Sequence, residues 1–228
     1  MGNRFVRYNC EECSSSTRAE WCCGAKRRNS HGGGSLSREH FLLREMRLVA
    51  ELRLQGKSTP EIVSLAKGEN LFQYPTVNSV PRIARACARR LDALQSDELV
   101  ELVARGAHDQ AAQANLYGMA RVFDIVYRLL LDEVAVRYRT LDYRFTRADM
   151  SAFLARYQAE REPGARLSES TAQRVASTLA NSLLQAGMLS QVRYHALEPI
   201  LLDPDLKRVM VANGDACLLP AFNCTEGA

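Results

Sequence analysis

The 228-residue sequence predicts a mostly all-α protein. It reads as a helix-turn-helix-like N-terminal domain followed by a helical C-terminal domain, with room for a small β-hairpin or wing near residues 189–202. Three observations predict this. Beyond Gly34 the apolar residues recur with the helical period of about 3.6, not the strand period of 2. Hydroxyl caps and glycine or proline stops punctuate the chain at helix lengths. The composition, 46% hydrophobic and 25% charged, is that of an ordinary globular chain and excludes disordered, collagen-like and coiled-coil classes.

The elements follow in order. Leu42, Met46, Val49, Ala50 and Arg53 mark one side of a helix from about Leu36 to Leu54, and Gly56 ends it. Ser58-Thr59-Pro60-Glu61 has the form of a capping box with proline in the first turn. It opens a short helix that Gly68 closes. A turn with Asn70, Gln73, Tyr74 and Pro75 follows. The next helix starts at Asn78 or Ser79, so that Pro81 falls in the first turn, and runs to Leu94 on an apolar stripe that includes Cys87 as a core residue. Ser96 caps a short helix ended by Gly106. Residues 108–139 form a long apolar stretch in which Gly118 is a candidate break. Thr146 caps a helix over 147–160, and Ser168 or Ser170 opens another that stops at Gly187. Asp203-Pro204 begins a last short helix.

Four segments result: a flexible Cys/Gly-rich extension (1–34), the helix-turn-helix-like domain with a long connecting helix (35–140), the C-terminal domain (141–212) and a loose tail (213–228). The joint lies near 140–146. The extension holds Cys10, Cys13, Cys22 and Cys23 with His31 nearby. Cys10-x-x-Cys13 is half of a zinc-knuckle spacing, but adjacent Cys22-Cys23 is a poor second half, so no metal site is assigned. The extension has no apolar run of signal-peptide length, and no stretch approaches the roughly 20 apolar residues of a membrane helix. The expected location is the cytoplasm, with no membrane contact.

No nucleotide-binding, zinc-protease or serine-hydrolase motif occurs, and the four histidines have no ligand spacing. The expectation is a protein without enzyme activity or cofactor. The formal net charge of +4 divides unevenly: +3 over residues 1–34, +4 over 35–95 and −3 over 96–228. The basic residues are mostly arginine, whose fork suits phosphate and guanine edges. Arg82, Arg85 and Arg89, at i, i+3 and i+7, share one face of the helix ending at Leu94, and Arg90 flanks it. Asn78 and Ser79 sit at that helix's start, where backbone N–H groups favour a phosphate. These six residues are the candidate contacts to double-stranded DNA, and the acidic body is a poor candidate for the main phosphate-binding surface. A solvated arginine face on a helical adaptor, or on an RNA-binding module that scaffolds partner proteins, is the alternative.

The run from Ser37 to Leu94 also resembles the front half of the BrxA family of BREX phage-defence systems. The shared pieces are Gly32-Gly33-Gly34, the helix around Leu42–Leu52, Asn70-Leu71-Phe72, Ser79 and Arg90-Leu91-Asp92-Ala93-Leu94. Further on they are Ser96-Asp97-Glu98-Leu99, Ser170-Thr171, the stretch Leu183 to Leu189, and Ile200-Leu201-Leu202-Asp203-Pro204. The resemblance spans about residues 32–212 and consists of many weak positions. It implies a compact helical, non-enzymatic protein that binds DNA through an N-terminal helix-turn-helix-like domain, beside a methyltransferase, an ATPase and other defence components. It implies nothing for the first 31 residues.

Overall fold

The computed structural model describes residues 33–190 and 196–224, so the four N-terminal cysteines and His31 lie outside the described residues. The described chain is helical, as its periodicity predicts. It forms α1 (Gly33–Leu36), α2 (Leu43–Leu54), α3 (Thr59–Gly68), α4 (Val80–Leu94), α5 (Asp97–Arg105), α6 (His108–Val122), α7 (Asp124–Leu129), α8 (Ala135–Thr140), α9 (Arg147–Ala159), α10 (Glu169–Gln185) and α11 (Pro204–Ala212). The caps sit where the sequence places them. Glu61 accepts from the Ser58 backbone N–H at 2.8 Å, and Ser96 Oγ accepts from Leu99 N–H at 3.3 Å. Thr146 and Asp149 form a reciprocal box, Ser168 Oγ accepts from Thr171 N–H at 3.4 Å, and Asp203 accepts from the N–H groups of Asp205 and Leu206.

Several features differ from expectation, the first of them for a long-range reason. The helix expected from Leu36 begins only at Leu43. Residues 37–42 form a turn that ends with Leu42 in the left-handed region at φ 57°. The carbonyls of Glu39, His40 and Phe41, which a continuous helix would use, instead accept from the Arg90 guanidinium at 2.6, 2.8 and 2.8 Å. Asn115 Nδ2 gives the Phe41 carbonyl a second donor at 2.7 Å. Arg90 is fully buried, and burial pushes its pKa down to about 10, which leaves it charged at neutral pH.

The long stretch breaks at Phe123, which is extended at φ −116° and ψ 111°, and not at Gly118. Gly118 has another use: a Cβ there would stand 3.2 Å from the Arg90 carbonyl oxygen, so its absence lets α4 and α6 approach. After α7 the backbone widens into a π-turn over Leu130–Val134. Such a turn carries one residue more than an α-turn, and here it contains Glu133, buried at 4% exposure.

Of the hairpin or wing expected near 189–202, residues 191–195 lie outside the described residues, and the flanking described residues form no strand, only two isolated antiparallel bridges, Leu189–Leu197 and Arg144–Ala196. The tail expected to be loose is packed as far as Cys224. Ala216–Phe222 form a 3₁₀ helix with Leu218, Leu219, Ala221 and Phe222 buried against α8 and the π-turn. Pro220 interrupts this run and its period is near three, so it shows no 3.6-residue stripe.

One hydrophobic core runs from Leu36 to Phe222, continuing across the loop at 140–146. Its centre is α4, which packs against α2, α3 and α6. Cys87 lies in it, fully buried, and burial pushes its thiol up to about 12. Replacing Arg90 with methionine would keep volume but orphan the Glu39 and His40 carbonyls, while Phe41 keeps its bond from Asn115. Unsatisfied buried acceptors cost about 1–3 kcal/mol each, so Arg90→Met is expected to cost at least about 2 kcal/mol, read as a lower urea midpoint at unchanged slope.

Candidate nucleic-acid interface

Among the helices with exposed polar faces, two bear on nucleic-acid contact: α4, on which the sequence places the arginine stripe, and α10, which sequence reasoning passed over. The stripe on α4 is narrower than its periodicity suggests, because most of the helix is buried. Arg82 and Arg85 are exposed. Arg82 also donates to the Arg38 carbonyl at 3.2 Å and, with Gly34, Ser35, Arg38 and Glu39, lines a shallow hollow. Arg89 is half-buried, ion-paired to Glu39, with its guanidinium 5.9 Å from the Phe123 ring centroid. Asn78 is exposed and Ser79 half-buried on the 3₁₀ turn Val77–Ser79 that leads into α4.

Arg90, placed beside the stripe by its sequence position, points away from it and is a buried anchor without solvent access. The reason is angular. One residue past Arg89 turns about 100° further around the helix, from the solvent edge into the seam with α6. Toward the C-terminal end of α4, Asp92 accepts from Arg53 at 3.0 Å and ends the basic strip. The connection from α3 to α4 spans residues 69–79, longer than a tight turn.

The second face belongs to the unit formed by α9, α10 and the two bridges. The chain runs from Tyr143-Arg144 through α9 and α10 to Leu189, then returns so that Leu197 N–H donates to the Tyr143 carbonyl at 2.7 Å and Glu198 N–H to the Met188 carbonyl at 2.9 Å. Val175, Thr178, Leu179, Ser182 and Leu183 bury one side of α10. Its other side exposes Ser170, Gln173, Arg174, Ser177 and Asn181, spaced i, i+3, i+4, i+7 and i+11. No Asp or Glu occurs from Ser170 to Leu197. Arg144, Arg147 and Arg166 of the same unit are exposed as well. The legible signal for this face was the carboxylate-free run, and segment net charge conceals it.

Ion pairs, the central one on buried Glu133, hold the unit to the body. Glu133, on the π-turn, accepts from Arg137 one turn on and from Arg156 on α9. Arg137 also reaches Asp149 at 3.3 Å and lies over the Phe145 ring. Asp124 accepts from Arg161 at 2.9 Å and from the Tyr157 hydroxyl at 3.2 Å. On the other side, residues 33–41 run between the two faces. α1 packs on α10, His40 Nδ1 lies 3.4 Å from Thr178 Oγ1, and the Arg38 carbonyl takes Arg82.

Among the described residues no group of three or more His, Cys, Asp or Glu side chains could hold a metal ion, and no helix is long and apolar enough to cross a membrane. Removing the Glu133 charge tests the attachment of α9. Glu133→Gln is expected to cost about 2 kcal/mol in thermal or urea unfolding, because two arginines lose their buried partner. Faster amide exchange confined to α9 and its flanks would accompany it.

The comparisons with known proteins agree with this architecture. The family model BrxA matches residues 33–214. The chain is similar to the crystal structure of an uncharacterized protein from Magnetospirillum magneticum, with a TM-score of 0.71 and 18% identity, over 83% of this chain and 96% of that one. At that identity the likeness concerns the fold. No curated protein matches.

Proposed function

The chain belongs to the BrxA family, a family of BREX phage-defence components, and we propose that it serves such a system as a non-enzymatic protein that binds double-stranded DNA. The observation that carries the reading is the pair of exposed helix faces. One has arginines (Arg82 and Arg85 on α4) and the other a carboxylate-free row of arginine, amide and hydroxyl side chains on α10. Asn78 and Ser79 lie at the entrance to the first face, and Arg89 adds positive charge that Glu39 partly neutralises. Arg90 takes no part in contact. Its role is to hold the turn at 39–41 on which the first face leans.

Arginines facing a duplex release counterions, so affinity falls with salt by about 0.9 log unit per log unit of salt for each phosphate contacted. Arg82→Ala and Arg85→Ala are each expected to weaken binding to a labelled duplex and to lower that slope by about one. Arg89→Ala would do so less, since its charge is already paired. Fluorescence anisotropy across a salt series reads both quantities. A triple variant with wild-type affinity and slope would remove α4 from the interface. If the wild-type protein bound no duplex at low salt, the DNA reading as a whole would fail.

A second, compatible role as an adaptor for other BREX proteins, such as the methyltransferase or the ATPase, draws support from one observation. Leu201 is 92% exposed and Val211 48% exposed, and both line a hollow shared with Ile200, Leu202 and Pro204 and edged by Lys207 and Arg208. Large apolar side chains exposed together mark contact surfaces more often than solvent-facing ones.

A further inference from the structure

Resting on the DNA reading above, we infer that the two faces divide the work: α10 discriminates base sequence, and α4 supplies contact to the phosphate backbone without regard to sequence. The side chains differ in the chemistry they can perform. Gln and Asn pair bidentately with the N6 and N7 edge of adenine, Arg with the O6 and N7 edge of guanine, and Ser with either purine edge. On α10 all of these stand in one exposed row: Ser170, Gln173, Arg174, Ser177 and Asn181.

At 1.5 Å per residue the row from Ser170 to Asn181 is about 16 Å long, close to five base steps at about 3.4 Å. A reader must also be rigid. α10 is capped by Ser168, its rotation is fixed by Val175, Leu179 and Leu183 in the core, and Ser182 Oγ bonds back to the Thr178 carbonyl at 2.8 Å. The absence of Asp and Glu along it leaves no carboxylate on α10 itself to repel the duplex as the row descends into the groove, beyond Glu169 at its first turn.

α4 lacks these properties. Its exposed residues are Arg82, Arg85 and, further on, Asp92, with no amide or hydroxyl among them. The carboxylates of Glu39 and Asp92 bracket the arginines. Most of the helix is buried, so it cannot enter a major groove to the depth at which base edges lie, roughly 8.5 Å. It can lie against a backbone.

The test uses the full chain and a randomised 20-base-pair duplex pool. Wild-type protein is expected to enrich a short preferred sequence. Against that sequence and its scramble, Gln173→Ala, Arg174→Ala and Asn181→Ala should each reduce the affinity ratio by about tenfold. Arg82→Ala/Arg85→Ala should weaken both duplexes by one common factor and leave the ratio unchanged. Arg174→Lys is the sharpest variant, because it keeps the charge but loses the bidentate fork. It should lose preference at one base pair with an unchanged salt slope. All these positions are exposed, and unchanged thermal midpoints check the fold.

The inference is overturned if wild-type protein binds the pool tightly but enriches no sequence. It is overturned equally if the α10 variants weaken both duplexes alike, or if preference is lost on the α4 variant. Each of these outcomes leaves the DNA reading standing, whereas no binding to the pool at any salt would remove both.

Discussion

The Arg90 guanidinium is the constraint on which the rest of the molecule leans. A fully buried charge is costly unless it is hydrogen-bonded, and here three carbonyls of one turn accept from both terminal guanidinium nitrogens, while Nε finds no partner. The bargain is mutual. Those carbonyls belong to residues that would otherwise continue α1 into α2, and Arg90 gives them the partners that a helix would have provided. The turn they form carries Glu39, which holds Arg89, and His40, which touches α10. Behind Arg90, Gly118 removes the one side chain that would keep α6 from closing on the α4 backbone. The same arginine therefore fixes where α2 starts, how α4 is rotated and which of its neighbours face solvent.

This explains what could be read from the chain and what could not. Local signals translated directly. The serine, threonine and aspartate caps at Ser58, Ser96, Thr146, Ser168 and Asp203 all open helices, because a cap is decided within four residues. The late start of α2 is decided by a guanidinium about fifty residues away, and no window of local sequence contains that. Gly118 looked like a breaker because glycine is a poor helix former, whereas its reason is a neighbouring backbone. Among the six residues proposed for DNA contact, Arg82, Arg85 and Asn78 emerge on the surface. Ser79 and Arg89 are half-buried and Arg90 is interior. Helical spacing orders residues around an axis but does not say how many sides of the helix are covered.

Net charge misled in a different way. The acidic balance of residues 96–228 suggested a body unsuited to phosphate. Many of those carboxylates are internal fasteners, however: Asp124, Glu133, Asp149 and Asp215 all hold arginines across element boundaries. What a polyanion meets is the local field of a face. The α10 face has arginine and amides without a carboxylate, although it belongs to the acidic part of the chain.

The packed segment after Asn213 has a consequence for how the chain reaches this state. Tyr117 donates to Asp215 at 2.7 Å across a sequence separation of 98 residues, and Asn213 donates to the Leu94 carbonyl across 119. Loops of that length must close before the contacts reward them, and proteins rich in such contacts fold more slowly than local helical bundles. During synthesis α8 and the π-turn emerge well before the residues that cover them. Until Leu218, Leu219 and Phe222 arrive, their apolar sides stay open to solvent and to other chains. For a chain whose described residues are mostly helical, this is the kinetics of a topologically distant fold, with assembly completed last at the seam between α8 and the 3₁₀ turn Ala216–Phe222.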